Sequence, residues 1–428
     1  MRHLDPGQLP NPTTFDQAAR VEQLLVEPDR TARVQTWNPG KEVRDFPDIF
    51  DQQAHALAQR DLKPDGWRLE GPVSLRLLDR LRQAGQPLRE VVGSRVYRGI
   101  TSGLNEAFVV SRATHERLIA DHPSSAEVLK PFLRGRDVKR WRYELPEQYL
   151  IRIESSENAR HPWSGKSGND AERVFAKTYP AIHAWFERMR EALIQRYDQG
   201  WYFWELRSCD YWREFEKPKI ISTKVSIRPT FALDERGVHL GNTSYFIPVG
   251  ETNRYVLGLL NSSLFEGYAR RIFVEKQGGW YEVQPQGLED FPIPLVTTEQ
   301  QRRCERLAEA MIWLHGQDSA RKASNVPVAS MQAYFEQWLN GLVYELFFPD
   351  ELHGRKLTLF EETTRLNPPD LSTIPEQQKL SRLHEQFEQA YDSQATLRSM
   401  LFSLRSLEVV RIIEEPLERS VTTQDREP

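Results

Sequence analysis

With only two cysteines in 428 residues, Cys209 and Cys304, the chain has no disulfide framework, and neither cysteine stands in a Cys-x-x-Cys pattern or beside a His pair that structural zinc would need. No apolar run approaches the roughly 20 residues of a bilayer-spanning helix. Residues 1–10 lack the basic start and apolar stretch of a signal peptide. A cytoplasmic protein without a membrane partner is the expectation. An overall positive charge is also missing, since 57 Lys and Arg face 61 Asp and Glu for a net charge of −4. The acidic excess is local, because residues 350–428 hold ten Lys and Arg against fifteen Asp and Glu, which leaves the rest close to neutral. A polyanion-binding surface is therefore compatible with the composition, though with fewer phosphate contacts than a strongly basic protein makes.

Positive charge concentrates in one place. Between Lys130 and Arg142, six cations face the single acid Asp137 within thirteen residues. Arg134, Arg136, Lys139, Arg140 and Arg142 cannot all be neutralised by Asp137, so water or a polyanion must compensate them. The two readings are a solvated face and a phosphate-binding stripe.

Around the stripe the chain divides into three stretches. Residues 1–66 carry Asp5-Pro-Gly7, Pro10-Asn-Pro12 and Asn38-Pro-Gly40, breakers that leave room only for short helices such as 15–26 and 50–59, and they read as a connector. Residues 67–296 mix a Leu-rich helix (Leu75 to Leu81), a strand, Gly loop and strand over 96–110, an amphipathic helix over 173–197 and strands over 220–248. In the last of these, Phe231-Ala-Leu233 and Val238-His-Leu240 read as a hairpin closed by Asp234-Glu-Arg-Gly237. Residues 297–428 are helical, with patterns at 300–314, 331–348 and 380–413, the last with leucines spaced for packing against a partner helix. No repeat is visible.

Six segments occur in a fixed order: Arg98-Gly-Ile-Thr-Ser-Gly-Leu-Asn-Glu-Ala-Phe108, the stripe, Trp204-Glu-Leu-Arg-Ser-Cys-Asp-Tyr211, Phe215-Glu-Lys-Pro-Lys-Ile220, Leu257-Gly-Leu-Leu-Asn-Ser-Ser263 and Phe291-Pro-Ile-Pro294. The set resembles the C-terminal specificity domain of TaqI-like adenine-specific DNA methyltransferases and type IIG restriction-modification enzymes, from about Trp67 to Leu295. The helix start at Thr297-Thr-Glu-Gln-Gln-Arg302 also resembles the segment after a recognition domain in type I specificity subunits. The resemblance implies an α+β fold, with a mixed, β-rich target-recognition domain and a helical C-terminal region. It also implies recognition of double-stranded DNA for an adenine-N6 methyltransferase in a restriction-modification or phage-defence system.

Catalytic motifs are absent. An adenine methyltransferase needs a Gly-rich turn to hold S-adenosylmethionine and an Asn-Pro-Pro-aromatic loop to grip the flipped base. Asn367-Pro-Pro-Asp370 puts Asp where the ring belongs and reads as a turn. Strict Glu-x-Lys never occurs, and Gly165-Lys-Ser167 lacks the upstream Gly of a phosphate loop, Arg160 standing there. The expectation is a chain without cofactor or metal, not an enzyme by itself. S-adenosylmethionine would sit on a separate methyltransferase or restriction partner, and the Met1 start would make this chain a subunit or a truncated product. Lys130, Arg134, Arg136, Lys139 and Arg140 are the phosphate candidates. Thr101, Ser102 and Asn105 form either a DNA-approaching loop or a tight turn in which Asn105 caps a helix. Lys224 and Arg228, four apart on a predicted strand, would share a face from which Arg228 reads guanine. Lys276, Gln277, Trp280 and Tyr281 flank Gly278-Gly279 in a loop able to enter a groove or to pack. Two other functions stay open: a divergent metal-dependent nuclease using Asp137 and Lys139, and a protein-interaction scaffold built on the Leu-rich C-terminal helices.

Overall fold

The computed structural model describes residues 17–20, 31–36, 46–58, 72–144, 146–250, 253–276 and 279–414. The fold is α+β. Two four-stranded sheets interleave in sequence and differ in burial. One has the order His239–Leu240, Leu129–Leu133, Gln148–Ile151, Val109–Ser111; the other runs Phe231–Asp234, Lys219–Thr223, Ser244–Pro248, Tyr97–Arg98.

The second sheet is the backbone of the molecule, because alternation along its strands feeds two separate cores. Ile221, Ala232 and Phe246 face a core made with Phe108, Trp163, Phe175, Phe186 and Trp204. Their neighbours Ile220, Phe231, Tyr245 and Ile247 face the other way, into a core shared with the C-terminal helices. A strand buried on both faces carries apolar residues without a gap. This accounts for the continuous apolar run through 245–248 and for Ile220-Ile221.

The helical region is therefore not an appendage. Helices Asn253–Leu260 and Ser263–Ile272 pack in the same core as Thr298–His315, Val328–Phe347, Glu376–Tyr391 and Thr396–Leu404. The leucines of 383–407 thus find their partners inside this chain. Thr297 starts its helix with a capping box, its hydroxyl accepting from Gln300 N while Gln300 accepts from Thr297 N at 3.0 Å.

Four expected elements differ. Residues 173–197 form three helices, Gly168–Thr178, Pro180–Glu187 and Arg190–Gln195, because Pro180 has no N–H to continue the first and instead opens the second. The hairpin over 231–240 does not form: Phe231–Asp234 pairs with Lys219–Thr223, whereas His239–Leu240 crosses to lie parallel to Leu129–Leu133 in the other sheet. Gly237 does adopt a positive φ of 70°. Residues 17–20, expected as helix, are the first strand of an antiparallel sheet with Thr31–Thr36 and His55–Ala58, and the helix expected over 50–59 is Phe46–Gln53, ending before that third strand. Arg33 ties the sheet to the helix, donating to Phe50 O at 3.2 Å and pairing with Asp51.

Candidate nucleic-acid interface

The basic stripe splits into an outward half and an inward half. Strand Leu129–Leu133 buries Leu129, Phe132 and Leu133 and leaves Lys130 half-buried at its edge. A 3-10 turn, Gly135–Asp137, follows, in which Asp137 folds back to accept from Arg134 N at 2.8 Å and from its Nε at 3.3 Å. That return aims Arg136 outward with its side chain 70% exposed. Lys139 donates to Arg136 O at 2.6 Å and keeps an exposed head. Asp137 is engaged by arginine, and Lys139 by a carbonyl, which is not the arrangement of a metal-water site.

Arg140 turns the other way, contrary to its expected phosphate role. Its guanidinium pairs with Glu336 at 2.7 Å and donates to Asn261 O, with only 13% of the side chain exposed. Burial pushes its pKa down to about 10. The neighbouring Trp141, at φ 71°, is buried and donates its backbone N–H to Phe231 O. Asn261, from the Leu257 to Ser263 segment, also brackets Phe231, donating to its O at 3.0 Å. Arg140 therefore joins the sheets to the helices.

His315 sits at the same joint, stacked 6.4 Å from Trp141. Burial, then Arg140, Arg142 and Arg228, lower its pKa from 6.5 to about 4. The folded state thus refuses a proton that the unfolded chain accepts between those two values. Stability should fall as pH drops from 6.5 to 4, by up to about 3 kcal/mol from this residue. Melting temperatures across that window should decline less in His315→Gln than in the parent; equal declines would remove His315 as the cause.

Lys224 and Arg228 do not share a strand face. Lys224 lies at the bend after Lys219–Thr223, and Arg228 follows the two-residue strand Val225–Ser226. Arg228 pairs with Glu266 at 3.1 Å and Glu336 at 3.3 Å, with its side chain 46% exposed. Lys224 and Lys276 both pair with Glu282, at 3.1 and 2.8 Å, and hold that carboxyl below the usual range. Strands Val274–Lys276 and Trp280–Glu282 pair antiparallel. Trp280 is 43% exposed there, Tyr281 packs on the helical core, and Gln277 lies outside the described residues. The first lysine of Lys-Pro-Lys stays at the surface, but Lys219 is completely buried against Asp234.

Residues that the sequence did not single out bring exposed and half-buried cations together. The turn at Asn242-Thr243 accepts from Arg98 Nε at 3.3 Å, from Gly135 N at 3.1 Å through the Thr243 hydroxyl, and from Lys224 N at 2.8 Å. Arg98, Arg134, Arg136 and Lys224 consequently rise around one turn. Glycine is required where the chains cross, since a Cβ on Gly99 would lie 2.0 Å from Gly241 O. Only the pairing of distant strands reveals this, and no local motif marks it.

The loop after Gly99 is mostly structural. Ser102 is buried and donates to Asn105 Oδ1 at 2.7 Å, and its carbonyl accepts from the buried Arg196. Asn105 occupies the first turn of helix Asn105–Phe108, with Leu104 at the cap position. Thr101 is half-buried and Asn105 exposed. Among the described residues one carboxylate and His group, Glu172, His183 and Glu187, has metal-like spacing, but Arg190 pairs with both carboxylates. Asn367 closes helix Leu359–Leu366 at φ 48°, its side chain accepting from Arg303 and Arg306, a turn role for Asn367-Pro-Pro-Asp370. No helix among the described residues is long and apolar enough to cross a membrane.

Residues 130–293 match the model of the TaqI-like C-terminal specificity domain. The resemblance read from the sequence is thus recovered over that segment. Among solved structures the chain is similar to the type IIL restriction-modification enzyme MmeI, determined in complex with DNA, at 16% identity and a TM-score of 0.43. The likeness covers 65% of this chain and 36% of that one, so the chain spans little more than a third of that enzyme. No curated protein matches.

Proposed function

We propose that this chain is the DNA target-recognition component of a restriction-modification system, in which a catalytic partner modifies adenine. The specificity-domain match over residues 130–293 carries this reading. The surface around Asn242-Thr243 supports it, because Arg98 and Arg136 are exposed there beside a hydrogen-bonded turn, as phosphate positioning needs. The partner would supply S-adenosylmethionine and the adenine-gripping loop, and a role in phage defence belongs to the same proposal.

Phosphate contacts should reside in the outward half of the stripe alone. In Arg134→Ala/Arg136→Ala, binding to every duplex weakens and the slope of log affinity against log salt flattens by about two. Arg140→Ala, by contrast, should lower thermal stability and leave that slope unchanged. Anisotropy titrations of a labelled random-sequence duplex at several salt concentrations measure both. An unchanged slope in the double variant would return the stripe to a solvated face.

A further inference from the structure

Aromatic side chains of this size are normally at least partly covered. Tyr197 is 98% exposed and Trp201 61%, with Ile194 beside them at 49%. Among the described residues, no hydrogen bond or ring contact involves either aromatic side chain. The loop that displays them is nevertheless firmly held. Arg196, buried, donates to the carbonyls of Ser102, Asp198, Phe203 and Glu205. Glu205, fully buried, accepts from Ser156, Trp163, and the backbone N–H groups of Trp201 and Tyr202. Gly200 admits no side chain, since a Cβ would lie 2.7 Å from Glu205 Cβ. A loop fixed by an internal cation and an internal anion presents its aromatics already ordered, so a ligand gains their area without the cost of freezing them.

Position selects the ligand. Gly103 packs on Asp198, and five residues earlier Arg98 donates to Asn242 O, so the 98–103 segment links the aromatic loop to the cation-ringed turn. Five residues reach at most about 17 Å. That upper bound is no more than about five base steps of a duplex, on the order of 3.4 Å each. Asp198, the acid on the loop, is paired with Arg207 at 3.0 Å and leaves no free anion to repel phosphates.

We infer that Tyr197 and Trp201 form an aromatic wedge that stacks on, and locally unstacks, bases of a duplex held by the Arg98, Arg134 and Arg136 surface. This deepens the recognition reading and rests on it. Stacking is sequence-tolerant and uncharged, so Tyr197→Ala/Trp201→Ala should lose roughly tenfold or more in affinity for a random-sequence duplex pool while its salt slope stays that of the parent. Thymines in the bound pool should become permanganate-reactive with the parent and with Tyr197→Phe, and lose that reactivity with the double variant. Because both side chains are exposed, circular dichroism and melting should be unchanged. Parent-like affinity and reactivity in the double variant, with Arg134→Ala/Arg136→Ala still weakened, would overturn the wedge and assign the patch to a protein contact. Absence of duplex binding by the parent itself would instead overturn the recognition reading, and the wedge with it.

Discussion

Asp234→Ala should destabilise the protein by about 3 to 5 kcal/mol, because it strands a buried ammonium. Lys219 and Asp234 are both inaccessible to solvent and pair directly. The carboxylate also accepts from Tyr143 at 3.1 Å, from Arg236 N at 2.9 Å and from Val238 N at 3.0 Å, so it fixes both sheet edge and loop. Burial and Asp234 together raise the Tyr143 hydroxyl pKa, and burial lowers that of Lys219. Lys219→Met should cost less, since the remaining carboxylate keeps three donors. Lys219→Met/Asp234→Ala should be less destabilised than the sum of its parts, by 1 kcal/mol or more on the order of measured couplings for residues in contact. Urea midpoints for the four proteins test this. Additive single effects would show that the pair is not an energetic unit.

The same pair shows what a basic motif leaves undecided. Phe215-Glu-Lys-Pro-Lys-Ile220 offers two lysines in the right family context, and nothing local separates the exposed Lys217 from the buried Lys219. The distinction arises only when Lys219 faces Asp234 across paired strands. Arg140 is a sharper instance: its partner Glu336 lies 196 residues away on a helix read only as apolar periodicity. Charge density along the chain identifies a stripe, but the direction of each side chain depends on the 3-10 turn at Gly135–Asp137 and on the positive φ of Trp141. Lys224 and Arg228 show the same limit in a strand, where a bend breaks the period-two rule that would have put them on one face.

What was legible was local or periodic. The helix start at Thr297 and the apolar stripe of Val328–Phe347 follow from short-range chemistry and spacing, and the α+β class from the family resemblance. Residues 220–248 were legible as strands because apolar residues and a Gly-containing turn bounded them. Their two-faced burial was not, since it requires knowing that a helical core closes over the face opposite the first. Asn242 and Thr243 stayed invisible for a related reason. Their importance comes from the crossing of Gly99 and Gly241, a contact between segments well over a hundred residues apart.

Glu205→Ala should be the second large loss, about 3 to 5 kcal/mol, and it should act on a surface that the substitution never touches. The carboxylate gathers Ser156 N at 3.0 Å, Trp163 Nε1 at 2.8 Å and Trp201 N at 2.9 Å, with Tyr202 N at 3.3 Å. Each buried donor left without an acceptor costs about 1 to 3 kcal/mol, partly offset where water enters. Arg196 loses its neighbouring anion at the same time, although its own carbonyl partners remain. Glu205→Gln keeps one acceptor oxygen and turns the other into a donor facing donors, so its loss should be smaller but not absent. Since Glu205 braces the loop that carries Tyr197 and Trp201, partial unfolding should begin there. Limited proteolysis should cut the Ala variant within residues 196–205 under conditions that leave the parent whole. Cleavage confined to other segments, or a melting temperature equal to the parent's, would show that the loop is held by Arg196 and Gly200 without the carboxylate.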